Sequence, residues 1–339
     1  MKTFILSVIF IFIATPRCFP ADLELKATPQ TVVWGYYSAA AKPALRIHSG
    51  DTVRIETMST GSPAQFEAAG VPPNQISEAF RSIFKEVTDR GPGRHILTGP
   101  VYVEGAEPGD ALEVRIRKIE LASPFAYNGF RPGFGFLQDD FPYERIKIIP
   151  LDRTRLMARF SDSIEIPVRP FFGSMGVAPP EINGRISSNP PWVHAGNIDN
   201  RELVEGTTLY IPVHVKGALF EVGDGHAGQG NGEVDITAME TQLTGTFEFI
   251  VRKDMRLKWP RAETPTHYIC MGIHEDLSEA TKLAIREAID FLVSEKHLSR
   301  DEAYMLSSVA VDFNITQLVD GNKGVHAMIP KSIFVRSQR

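Results

Sequence analysis

The sequence has little cysteine, little tryptophan and no strong excess of either charge. Only Cys18 and Cys270 occur in 339 residues. Cys18 falls in an N-terminal segment expected to be removed. Cys270 alone cannot close an intrachain disulfide, so the fold must rest on core packing. A chain of this length can bury such a core without staples. Lys and Arg number 36 against 41 Asp and Glu, a net charge of −5. That balance supplies no general field for nucleic acid. Three catalytic signatures are also missing: a Gly-Lys-Ser/Thr phosphate loop, a Gly-x-Ser-x-Gly elbow and a His-Glu-x-x-His helix. With 43% hydrophobic and 23% charged residues, the chain is neither disordered nor collagen-like.

Residues 1–21 carry the order of a secretory signal. Lys2 supplies the basic start, and residues 4–14 are almost continuously apolar. That run is short for a membrane span and fits a signal core. Cleavage is expected after Ala14 or Ala21. The mature protein is then exported, periplasmic or secreted, with no stable membrane insertion. Loss of Lys2 and Arg17 leaves 34 basic residues against 41 acidic, a side-chain charge of −7.

The mature chain opens as β structure. Residues 44–47 and 52–56 alternate apolar with polar, which gives each strand one dry face. Residues 60–74 read as a loop. Ile76, Ala79, Phe80, Ile83 and Phe84 fall at helical spacing, and Gly91-Pro92-Gly93 is the expected stop. Residues 101–103 and 112–116 read as the arms of a hairpin turning at 107–110. Residues 124–142 are rich in Phe, Gly and Pro without a period, which suggests a packed loop or lid. Further strands are expected at 145–149, 156–160 and 164–168, followed by a Gly/Pro-rich stretch over 171–191. Helices come late. Asp276 with Glu279, and Ser299 with Glu302, have capping-box spacing, and each precedes an apolar stripe. They predict an αα-hairpin with His297 in its solvated turn. Cys270, in an apolar run, reads as a buried thiol.

Candidate chemistry concentrates between residues 194 and 240. His194, Asn197, Asp199 and Asn200 fall within seven residues around Gly196. A polar turn would look the same. The segment 223–233 is more specific, with five glycines in eleven residues. Such a density costs chain entropy that a plain surface loop need not spend. Asp224 and His226 are two apart and can point one way on extended backbone. An oxygen and a nitrogen ligand presented together suit Zn2+ or a similar divalent ion. A flexible turn is the alternative. Val234, Ile236, Ala238 and Glu240 share one parity, so a strand here would aim Glu240 at the apolar side. Burial would raise its pKa and favour proton transfer. If the strand ends at Met239, Glu240 is exposed instead.

Several segments together resemble the acetamidase/formamidase family. They are residues 33–36, 49–53, 98–110, 196–200, 217–220 and 223–227, then Gly230, Gly232, Glu233, Thr237 and Ala238, and finally 317–327. The resemblance spans about residues 30–334. It implies an α+β fold, mostly β, with antiparallel, sandwich-like sheets and the C-terminal αα-hairpin. We expect an N-terminal β-rich region over 22–192 and a metal-site region with the helices over 193–339, packed as one unit. It implies a metal-dependent amidohydrolase that cleaves a short linear amide, of the formamide or acetamide class, to a carboxylic acid and ammonia. The implied cofactor is a divalent metal, commonly zinc, with room for a second ion such as Ca2+. By position, the implied ligands are His95, His194, Asp199, Asp224 and His226. Ala195 stands where the family usually has glycine. Glu233 and Glu240 are the acid/base candidates, and Asn197 is a side-chain donor near the carbonyl. The implied assembly is a homo-oligomer, with no nucleic-acid partner. The competing readings are a hydrolase of a larger or cyclic amide and a non-catalytic secreted binding protein.

Overall fold

Alternation at period two sends every second side chain of a strand to the same face, and here those faces meet. The structure, a computed structural model, describes residues 22–335. The expected signal segment and Cys18 lie outside the described residues. No helix among the described residues is long and apolar enough to cross a membrane.

Two large sheets carry the fold. A nine-stranded sheet runs from Asp22–Leu25 and Thr52–Glu56 through Leu243–Arg252, Ala111–Leu121 and Thr208–Pro212. It continues through Arg261–Glu263, His267–His274 and Lys323–Pro330 to Asp312–Gln317. An eleven-stranded sheet has Phe125–Phe130, Glu240–Thr241, Phe220–His226, Phe171–Gly176 and Ala195–Asn197 as consecutive neighbours. Ile96–Glu104 also pairs with Phe220–His226. Both sheets take strands from either side of residue 192, and antiparallel pairing dominates. The fold is therefore α+β, with antiparallel sheets predominant.

The main core lies between these sheets. Val53, Ile55, Leu112, Val114, Ile116, Phe247 and Phe249 from one sheet join Val101, Phe172, Met175, Phe220 and Val222 from the other. Phe172 meets Phe247 with ring centroids 5.3 Å apart, and Phe220 meets Phe249 at 5.1 Å. Each such fully buried aromatic contributes roughly 1.5–3 kcal/mol relative to exposure.

Four expectations need correction. Residues 101–103 and 112–116 are not hairpin arms. The first belongs to Ile96–Glu104 in the eleven-stranded sheet and the second to Ala111–Leu121 in the nine-stranded sheet. Alternation fixes which face is buried, and it does not name the partner strand. The turn at 107–110 instead carries the chain from one sheet to the other. Within the expected loop 60–74, Pro63–Ala68 forms a helix, α1. Its cap is Ser62, whose hydroxyl accepts from the Gln65 amide. The amphipathic helix α2 spans Glu78–Glu86 and stops at Val87, before the Gly-Pro-Gly segment. In the aperiodic stretches, Phe125–Phe130 and Phe171–Gly176 are strands. Phe171–Gly176 is buried on both faces, so its sequence shows no alternation.

The late helices follow their caps. α3 spans Leu277–Lys296, with Asp276 accepting from the Glu279 amide. It ends at His297, which is exposed and left-handed at φ 57°. α4 spans Arg300–Ala310 behind a complete Ser299–Glu302 capping box. Ala280, Ala284, Ala288 and Leu292 line the buried stripe of α3. Cys270 beneath it is buried, and burial pushes its thiol up to about 12, which removes it as a nucleophile at neutral pH.

Gly272 lets α3 approach its sheet. A Cβ there would lie 2.2 Å from the Ala280 carbonyl oxygen and 2.3 Å from the Ala284 nitrogen. Both obstacles are backbone and cannot swing aside. Gly272→Ala should destabilise the fold by roughly 1–3 kcal/mol, as overpacking does. Urea unfolding checks this, and an unchanged midpoint would refute the close approach.

Candidate active site

Three neighbouring strands of the eleven-stranded sheet bring the polar side chains together. Phe220–His226 supplies Asp224 and His226. Phe171–Gly176 pairs beside it, and Ala195–Asn197 pairs beyond. Glu240 sits opposite His226 in the register of Glu240–Thr241. The His226 Nε2 lies 3.3 Å from Asp224 Oδ2 and 3.3 Å from Glu240 Oε1. Two sets of candidate metal ligands share this imidazole: Asp224, His226 and Glu240, and Asp199, His226 and Glu233. Within each set one ligand atom per residue lies within 4.8 Å of the others, and all these residues are buried.

The backbone that achieves this is not extended. Asp199, Asp224 and Glu233 have φ of 46°, 57° and 44°. Left-handed non-glycine residues cost of order 1–3 kcal/mol each where the fold over-determines them, and they gather at functional sites. Asp224 and His226 therefore converge through a twist at Asp224, rather than by simple alternation along a straight strand. Glu240 is also buried, but residues 234–239 form no strand. Val234 is exposed and Ile236 has φ 88°. The expected parity is absent, and pairing with His226 buries Glu240 instead.

Gly173 marks how tightly the strands close. A Cβ there would stand 2.3 Å from Asp199 Oδ1, 2.4 Å from Asp224 Oδ2 and 2.7 Å from His226 Cε1. Glycine is the residue that leaves room for the three side chains to meet.

Outer contacts fix several of these groups. Glu240 accepts from the Thr60 hydroxyl at 3.0 Å and from the Ala238 amide at 3.0 Å, and Thr60 in turn meets the Tyr127 hydroxyl at 2.9 Å. Asn197 Nδ2 donates to Asp199 Oδ2 at 2.8 Å. Gln317 accepts from the amides of Val319 and Asp320, and so shapes the turn that brings Asp320 to the site. Glu233 is reached through Gly232, whose amide donates to the Thr316 carbonyl.

Electrostatically the cluster is overloaded. Burial pushes Asp199 up to about 6, with nearby Asp224 adding to the effect. Burial, Asp199 and Asp320 raise Glu233 well above the usual carboxylate range. Asp320 rises likewise through burial and Asp199. Burial alone would lower His226, but Glu240 and Asp224 pull it well above its ordinary value. Burial also works against ionised Asp224, yet His226 and His95 hold it below the usual range. Six buried polar atoms here have no hydrogen-bond partner: both His226 ring nitrogens, Asp199 Oδ1, Asn197 Oδ1, Glu233 Oε2 and Asp320 Oδ2. Orphaned polar atoms are rare in interiors, and oxygens and an imidazole left open together fit a divalent cation.

The other two histidines lie differently. His95 Nε2 is 3.8 Å from Asp224 Oδ2, and its Nδ1 contacts Ser188 Oγ at 2.9 Å. It borders the cluster. His194 is wholly buried but belongs to neither ligand set. Its ring packs edge-on against Tyr37 at 4.8 Å, and burial with His214 nearby pushes it down to about 3. Asp320, Thr60, Tyr127 and Gly173 were not among the sequence candidates. Asp320 lay within the C-terminal matching segment; the others carry no local signal.

A cavity of about 100 Å3 opens onto the cluster, lined among others by Thr60, His95, Tyr127, Asn197, Asp224, Glu233, Glu240 and Asp320. It has room for several water-sized groups, each needing roughly 10–15 Å3 of such space.

The model of the acetamidase/formamidase family matches residues 42–183 and 182–336. The chain belongs to this family. It is a hydrolytic enzyme of the acetamidase/formamidase type. It is 26% identical over 314 residues to a formamidase from Methylophilus methylotrophus, covering 71% of this chain and 77% of that one. Among solved structures, it is similar to an acetamidase from Bacillus halodurans, with 30% identity, TM-score 0.78, and 92% and 98% of the two chains covered. An acetamidase from Yersinia enterocolitica gives 27% identity, TM-score 0.80, and 96% coverage of each chain.

Gly173→Ala should force Asp199 and Asp224 apart while leaving the sheets folded. Ligand-orienting changes typically cost roughly 10–100-fold in metal affinity or activity. Elemental analysis and circular dichroism of the purified variant check this. Full metal content in a folded variant would show that the close contact does not set the site.

Proposed function

We propose that the enzyme is a metal-dependent amidohydrolase that cleaves the C–N bond of a short linear amide to a carboxylic acid and ammonia. The observation that carries this reading is the set of unpartnered oxygen and nitrogen atoms around His226, three of which, on Asn197, Glu233 and Asp320, belong to residues lining the cavity. Formamidase and acetamidase relatives support the substrate class.

His226 would hold a divalent ion together with Asp224 and Glu240, or with Asp199 and Glu233. Such an ion supplies Lewis-acid polarisation of a carbonyl and lowers the pKa of water. Zinc suits this mixed donor set, and calcium would suit an all-oxygen second site.

The chain's own residues do the rest. Glu240 is pinned by Thr60 and Ala238, so it serves best as a fixed ligand. Glu233 keeps one oxygen free and lines the cavity. Its raised affinity for protons suits it to take one from water and return it to the leaving nitrogen. Amide nitrogen leaves poorly until protonated, so one group doing both jobs is sufficient. Asn197 Oδ1 is unpartnered and can accept from the substrate's NH2, orienting the amide. The small polar cavity holds the reactants close.

Asp224→Ala and Glu233→Gln should each lower ammonia release from formamide and acetamide by at least ~100-fold. Asp224→Ala should also lose the ion, whereas Glu233→Gln retains it if Glu233 serves only as acid/base. Ion affinity should fall as pH is lowered, because His226 must shed its proton and Asp199, at about 6, must stay ionised. Ammonia assays with and without a chelator decide the matter. Turnover that survives complete ion removal would overturn metal dependence, and no turnover of any short amide would overturn the substrate class.

A further inference from the structure

We propose that the mouth of the cavity is a carboxylate-binding subsite built by Arg94 and Arg131, and that the preferred substrate is a small amide carrying a carboxylate at its far end. The inference rests on the amide-hydrolase reading above and adds the substrate's second functional group.

The inner cavity is acidic, with Asp224, Glu233, Glu240 and Asp320 in its wall. It adjoins a wider outer cavity of about 340 Å3. Arg94 and Arg131 line both. They stand where the two cavities meet, with His95, Ile236 and Asp320, which also line both. Phe134 lies beside them in the outer cavity.

The geometry of Arg131 is that of a prepared receptor. Its guanidinium lies over the Phe134 ring, 3.6 Å from the centroid. Stacking occupies the guanidinium face and leaves its in-plane N–H donors for a planar carboxylate. Its Nε is buried and has no hydrogen-bond partner. The Arg94 guanidinium is 5.8 Å from the centroid of the same ring. The Arg94 backbone, next to His95, is tied by its amide, which donates to Asn189 Oδ1. Among the described residues, neither guanidinium is in an ion pair. Many other arginines are paired, as Arg169 is with Glu202 and Arg252 with Glu113, although among the described residues Arg90, Arg145, Arg153 and Arg286 are not. What sets Arg94 and Arg131 apart is that both line the two cavities. Glu144 also lines the inner cavity and attracts Arg94 at longer range without pairing.

A neutral amide has no use for two cations at the mouth. An amide with a distal carboxylate does. The arginines hold that carboxylate at the mouth, so the amide end faces the inner cavity. Charge-assisted contacts of this kind are the strong ones, and a bidentate pair adds orientation. In the reaction, a water oxygen bonds to the amide carbon, the C–N bond breaks and nitrogen leaves with a proton as ammonia. The product is a dicarboxylate. Its new carboxylate forms against the acidic wall.

The test uses the full mature chain and initial rates of ammonia release. Oxamate, malonamate and succinamate are compared with acetamide, propanamide and butanamide. At one chain length the charged amide should exceed its neutral counterpart in kcat/KM by tenfold or more. In the Arg94→Met/Arg131→Met double variant this ratio should fall at least tenfold, mainly through KM. The ratio is insensitive to the fraction of folded enzyme. Equal or better use of the neutral amide at every length, or an unchanged ratio in the variant, would overturn the subsite. Calorimetry with malonate and succinate gives a readout that needs no turnover. Binding should weaken at least tenfold in the variant. If no amide of either kind is hydrolysed, the hydrolase reading fails, and the calorimetry still decides the subsite. Absence of carboxylate binding at millimolar concentration would then refute it.

Discussion

Five carboxyl groups crowded around one imidazole are the constraint on which this structure turns. Asp199, Asp224, Glu233 and Glu240 are buried around His226, and half-buried Asp320 joins them. Ionised together without a cation, they would repel one another in a medium that screens poorly. Burial first, and then that crowding, raises the proton affinities of Asp199, Glu233 and Asp320. A divalent ion, as the proposed function has it, would resolve it by replacing protons with a compact positive charge. The same placement that makes the cluster costly makes it a strong ligand set.

A cluster of this kind needs a rigid mount. Phe172, Phe220, Phe247 and Phe249 lock the two sheets against each other directly behind the site. Phe171–Gly176 and Phe220–His226 then carry the polar groups on strands whose register is fixed along their length. Local cost is concentrated in the left-handed turns at Asp199, Asp224 and Glu233 and in the tight fit over Gly173. The surrounding core offsets that cost, and the reward is a small cavity with its polar atoms already in place.

Much of this was legible in the sequence, for identifiable reasons. Ser299 and Glu302 announced a helix because capping is a local hydrogen-bond pattern. Alternation in 52–56 and 112–116 announced buried faces because the strand period is intrinsic. It could not say that 101–103 and 112–116 pair in different sheets, since partner choice is a property of the whole fold. Phe171–Gly176 was hidden because burial on both faces erases alternation. In the site, Asp224, His226 and Glu233 stood out through the glycines around them. Thr60, Tyr127, Gly173 and Arg131 come from distant parts of the chain, and only folding brings them to the cavity. The positive φ values at the three acidic residues had no sequence mark, because no glycine stands there.

The most direct test of the central claim is anomalous diffraction from crystals of enzyme purified without chelator, with ammonia release measured on the same preparation. One fully occupied divalent ion is expected at roughly 2.0–2.1 Å from a His226 nitrogen, with oxygens of the surrounding carboxylates completing its shell. An amide-hydrolysing preparation with no ion at His226, or with its ion bound elsewhere, would contradict it.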